Sequence, residues 1–135
     1  MGTTITDLKG MHADLAEKLK AQGIKNSDQL LEATAAPAQR KALAKQLEMD
    51  ERALLELANR ADLSRIKGVA GVFSDLLEQA GVDTVKELAG RRADNLHSKI
   101  LEVNEAKGLT KRPPTLEMVG AWVDQAKELP KLLTY

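Results

Sequence analysis

Apolar residues recur three or four apart along the whole chain, and no stretch alternates strictly between polar and apolar. That pattern predicts an all-α protein of short helices. Met11, Leu15 and Leu19 form one stripe from about Met11 to Gln22, and Gly23 supplies a left-handed stop. Val69, Phe73, Leu76, Leu77 and Ala80 form a second stripe that ends at Gly81. After each glycine come an apolar residue, Ile24 or Val82, and a capping sequence, Asn26-Ser27-Asp28-Gln29 or Thr84-Val85-Lys86-Glu87. Further helices are predicted from about Pro37 to Glu48 and from about Asp94 to Lys107, with Asp94 or Asn95 as the cap of the latter. Two more begin near Asp50 and near Thr115.

These elements repeat. Leu8-Lys9-Gly10-Met11 aligns with Ile66-Lys67-Gly68-Val69, Leu19 with Leu77 and Leu30 with Leu88, all 58 residues apart. In the last helix of each copy, Leu54, Leu57, Ala58 and Ala61 match Val119, Trp122, Val123 and Ala126 at a spacing of 65, because Gly108–Pro114 lengthens the preceding loop. The expected organisation is a tandem duplication of a four-helix unit, residues 3–64 and 65–135, packed as one compact body. No linker separates the copies, since Asn59–Ile66 reads as helix up to Lys67-Gly68, and Ile5–Leu8 reads as a short version of the same element. Leu132 and Leu133 are expected to cover an end of the core.

Composition narrows the function. With 43% apolar and 30% charged residues, the chain is too hydrophobic for disorder and has no membrane-length apolar run. Its start lacks the pattern of a signal peptide, and the expected location is cytoplasmic. Twenty basic residues balance twenty acidic ones, ten of each up to Arg65 and ten of each beyond, which argues against strong sequence-independent binding of nucleic acid. The absence of cysteine removes disulfides and thiolate chemistry.

Leu8-Lys9-Gly10-Met11-His12 and Ile66-Lys67-Gly68-Val69-Ala70-Gly71, each followed by an amphipathic helix and Gly-Ile or Gly-Val, resemble the helix-hairpin-helix motif. The doubled arrangement resembles an uncharacterised bacterial family of unknown function carrying two such hairpins. The stretch from Gly10 to Leu31 is similar to the C-terminal domain of the bacterial RNA polymerase α subunit. The fold this resemblance implies is a SAM-domain-like helical bundle. It also implies contact with double-stranded or branched DNA through a Gly-hydrophobic-Gly turn, whose backbone approaches a phosphate held by the amides of the second helix. Here the first glycine is present as Gly10 and Gly68, but His12 and Ala70 stand at the second, with Gly71 one place later. The candidate DNA-binding residues are therefore Gly68, Val69, Ala70 and Gly71 for backbone contact, Lys67, Arg65 and Lys9 for charge, and Gly10 in the first turn.

Arg91-Arg92 and Lys107, Lys111 and Arg112 are the other dense cationic stretches, interleaved with acids. One Trp, one Tyr and one Phe are too few to stack unpaired bases. The two histidines lack metal-ligand spacing; Asp94 and His97 come nearest, and they read as a cap and a surface residue. No phosphate loop or nucleophile motif is present, so no catalytic residue, metal, cofactor or small-molecule substrate is expected. The alternative to DNA is a protein-interaction adaptor, docking a protein partner or a second copy through the hairpins or Leu132-Leu133.

Overall fold

The structure is a computed structural model, which describes residues 4–8, 10–69, 71–130 and 132–134. Among these the chain is all-helical: a 3-10 turn at Ile5–Asp7, then α1 (Ala13–Ala21), α2 (Ser27–Ala33), α3 (Pro37–Leu47), α4 (Glu51–Leu63), α5 (Val72–Gln79), α6 (Val85–Ala89), α7 (Ala93–Lys107) and α8 (Leu116–Glu128). Pairing of extended backbone among the described residues is limited to one bridge, Thr4 with Asn26. None of the described helices is long and apolar enough to cross a membrane.

Short amphipathic helices are marginal alone and gain stability by burying their stripes. α4 lies on α2 and α3, and α8 lies on α6 and α7. Two apolar cores result. The first gathers Leu19, Leu30, Leu31, Leu54 and Leu57; the second gathers Leu76, Leu77, Leu88, Ile100 and Trp122. Each fully buried leucine contributes roughly 1.5–3 kcal/mol relative to its exposed state.

The glycine stops use one geometry. At Gly23 (φ 83°) the amide bonds Lys20 O at 3.0 Å, and Ile24 N bonds Leu19 O at 2.9 Å. At Gly81 (φ 92°) the same pair runs to Glu78 O at 3.0 Å and Leu77 O at 2.8 Å. Both are Schellman motifs, in which a left-handed residue lets two amides turn back onto the last carbonyls. The next helices start with side-chain caps: Asn26 Oδ1 accepts from Gln29 N at 2.8 Å, and Thr84 Oγ1 accepts from Glu87 N at 3.1 Å.

Several local expectations change. Gln29 reaches back to Lys25 N rather than to Asn26, and Glu87 does not reach back at all, because its carboxylate pairs with Arg91 at 2.9 Å. α7 starts at Ala93, one residue before Asp94, whose carboxylate accepts from Arg92 and Asn95 N; it is not the cap. Met11 precedes α1 and is half-buried at the edge of the first core. α4 does not run on to Ile66. Ser64 Oγ donates to Ala61 O at 2.6 Å and closes the last turn, and Leu63 before it and Ile66 after it sit in the second core. One helix thus supplies both cores, with Leu54 to Ala61 in the first and Leu63 in the second.

Candidate functional site

Both glycine corners have left-handed backbone, φ 87° at Gly10 and φ 93° at Gly68. Each is also a point of close packing. A Cβ on Gly10 would stand 3.2 Å from Leu57 Cδ2, and one on Gly68 would stand 3.2 Å from Trp122 Nε1. Backbone angle and space together require glycine at both. The next amides turn inward: Met11 N bonds Leu8 O and Val69 N bonds Ile66 O, both at 3.1 Å. Val69 is therefore a core residue whose amide is occupied, contrary to its expected role as a phosphate donor.

The helices that leave the two corners start differently. At the first, His12 is the N-cap of α1, with Nδ1 accepting from Leu15 N at 3.4 Å. Because Nδ1 is the acceptor, a neutral ring carries its proton on Nε2. At the second, Gly71 (φ 53°) is the N-cap of α5 and makes no side-chain cap bond. Its carbonyl accepts from Ser74 Oγ at 2.8 Å and Asp75 N at 3.3 Å. The first-turn amides of α5 point out of the helix end, as in any α-helix, without a capping side chain over them.

Lys67 has an exposed side chain on a fixed backbone, since Gln125 of α8 accepts from its N–H at 2.8 Å and donates to its carbonyl at 3.4 Å. Arg65 is occupied instead. Its guanidinium is bonded to Asp62 Oδ1 at 2.8 Å and to the carbonyl of Pro130, so it is not a free cation for a phosphate. Asp62 is buried and also accepts from Val85 N at 2.8 Å, acting as a cap for α6 from another helix. Lys9 and Ala70 lie outside the described residues.

Charge around the corners is largely compensated. Arg60 of α4 spans to α5, donating to Ser74 Oγ at 2.9 Å, Asp75 at 2.7 Å and Glu78 at 2.6 Å. Burial acts to lower its pKa, but the hydrogen bonds to Asp75 and Glu78 outweigh this and raise it above the usual arginine value. Beside the first corner, Gly10, His12, Glu56, Arg60 and Glu78 border a cleft of about 280 Å³ whose rim carries two carboxylates. Arg91 is held by Glu87 and by Gly81 O at 3.1 Å, and Arg92 by Asp94 at 3.1 Å. Lys107, Lys111 and Arg112 are exposed, on or near a loop that Asn104 braces by two bonds to the Thr110 backbone.

Sequence reasoning missed the His12 cap, the Gln125 clamp and the Arg60 bridge. The signal available for the bridge was the spacing of Asp75 and Glu78, three apart on one helix and so on one face. Nothing local marked the cation 15 and 18 positions upstream. His97 is half-buried, with Nε2 3.1 Å from Pro114 O. Among the described residues, no group of three or more His, Asp or Glu is placed to hold a metal ion.

The family model of a domain of unknown function, DUF4332, matches residues 9–129. The chain belongs to that family. The matched span takes in both glycine corners and all eight described helices, and stops just short of the segment after α8. No curated protein and no solved structure matches the chain.

Proposed function

We propose that this DUF4332 chain is a tandem duplication of a four-helix, helix-hairpin-helix-type unit, residues 3–64 and 65–135. In this reading it is a non-catalytic module whose second corner makes weak, sequence-tolerant contacts to the phosphate backbone of double-stranded or branched DNA. The duplication is supported by the paired Schellman stops, the matching caps, and corner glycines packed on Leu57 and Trp122, which are themselves matched residues. One observation carries the assignment of the second corner. α5 begins at Gly71 without a side-chain cap, as α3, α4 and α7 also begin without one, but only at α5 does the uncapped end follow a glycine corner and a clamped backbone bearing the exposed Lys67. Uncapped amides and a helix dipole favour an anion, and a phosphate is the anion DNA presents.

Arg65 and Val69 then serve the fold. The contact rests on Gly71, the α5 amides and Lys67, with Gly68 fixing the corner and Lys9 and Ala70 remaining part of the proposal. So few contacts, among balanced charges, account for weak binding. Titrating duplex and branched DNA at several salt concentrations tests this. Affinity should fall as salt rises, and Lys67→Glu should weaken binding to all sequences alike and lower the salt slope by about one. No binding at low salt removes the reading.

The adaptor reading has its own supporting observation. Leu132 is 45% exposed beside an apolar groove walled by Leu31, Ala35 and Arg65. It predicts salt-tolerant association, seen by light scattering or pull-down, that Leu132→Asp weakens.

A further inference from the structure

Beyond α8 the chain leaves its own core and enters the other. α8 packs in the second core, yet Leu133 is only 3% exposed within the first. Thr134 N donates to Ala35 O at 2.8 Å, and Thr134 Oγ1 donates to the same carbonyl at 3.2 Å. Arg40, buried in α3, donates to Thr134 O at 2.6 Å while holding Thr34 O at 2.8 Å and Ala35 O at 3.2 Å.

These contacts read one leucine and the main chain around it, which is how an extended peptide is recognised in a groove. The seat is only partly filled. Next to Leu133, Leu132 stays largely exposed over a groove of about 450 Å³ walled by Leu31, Glu32, Ala35 and Arg65. A segment held by one buried side chain and a few hydrogen bonds opens more readily than helices that share a core.

We propose that residues 132–134 are a cis-bound ligand of a peptide groove on the α2–α3 face, released independently of the helical core, and that the open groove takes the same segment from a second copy of the chain. The second copy is the occupant because its segment reproduces each bond: the same leucine, the same Thr134 backbone, the same Ala35 and Arg40 partners. Exchange of an identical element conserves the contacts and leaves only the entropy of association against it. The proposal is independent of the DNA reading, and it concerns the buried Leu133 rather than the exposed Leu132.

The test is a fluorescent peptide of residues 129–135 titrated into the full-length chain, wild type and Leu133→Asp. The variant, its own segment displaced, should bind the peptide about tenfold more tightly than the wild type, in which the groove is filled and few molecules are competent to bind. Thr134→Pro, which removes both the N–H and the hydroxyl that reach Ala35 O, serves the same purpose if circular dichroism finds Leu133→Asp unfolded. In sedimentation, wild-type chain at high concentration should form dimers that Leu133→Asp does not form. Equal affinity of variant and wild type, no binding to a folded variant, or a wild type that stays monomeric overturns the proposal.

Discussion

Asp62 shows how one residue can be worth more than its charge. Its two carboxylate oxygens face different elements: one caps α6 at Val85 N, the other holds Arg65, which in turn holds the carbonyl of Pro130 just beyond α8. An anion at the start of one helix and a cation near the end of another each meet the favourable end of a helix dipole. The pair is nearly buried, with side chains 5% and 9% exposed, so removing one partner strands the other away from water. Asp62→Asn keeps an acceptor for Val85 but leaves Arg65 without its counter-charge. Chemical denaturation should read a loss of about 3 kcal/mol. Arg92→Ala removes an ion pair that is 77% and 58% exposed and should change stability by less than about 0.5 kcal/mol. Equal effects from the two would mean that burial does not set the strength of these pairs.

At the scale of elements, the helix ends decide how the chain turns, and they were the most legible part of the sequence. Gly23 and Gly81 announced their Schellman stops because only a left-handed residue serves there, and Asn26 and Thr84 announced their caps by side-chain chemistry. What the sequence hid was any end determined by a distant partner. α4 stops at Leu63 because Leu63 and Ile66 are drawn into the second core, and Lys67 is fixed by Gln125. His12 was hidden for another reason: its position matched a motif glycine, while its ring acts as a cap. The glycines were thus readable as left-handed corners, while Arg65, expected as a free charge, is spent inside the fold. One end also departs from the glycine rule. α3 closes on Glu48 in left-handed conformation (φ 55°), whereas α7 closes on Gly108 (φ 60°). Glu48→Gly should relieve that strain and stabilise the chain by about 0.5–1 kcal/mol, raising the melting temperature. Gly23→Ala, whose added Cβ meets nothing within 4 Å, should cost about 1 kcal/mol through the backbone alone. An unchanged or lowered melting temperature for Glu48→Gly would refute the strain argument.

For the whole molecule, the question is whether two cores make two folding units. Two connections argue that they unfold together: α4 contributes to both cores, and Arg60 ties α4 to α5 through Asp75 and Glu78. The single tryptophan makes this measurable. Trp122 lies in the second core, 5.5 Å from Phe73 and against Gly68, so its fluorescence reports on that core while far-ultraviolet circular dichroism reports on all helices. Leu30 belongs to the first core and is fully buried; truncating it to alanine removes its burial and leaves a cavity, at a cost of about 2–5 kcal/mol. If the shared helix and the bridges couple the cores, Leu30→Ala shifts the urea midpoint of Trp122 fluorescence as far as that of circular dichroism, and the two curves stay superimposed. If the cores unfold separately, the tryptophan transition stays where it was while the helical signal splits in two. Coupling is the expected result, because α4 cannot lose its seat on α2 and α3 without also releasing Leu63 and the Asp62 cap of α6 from the second half.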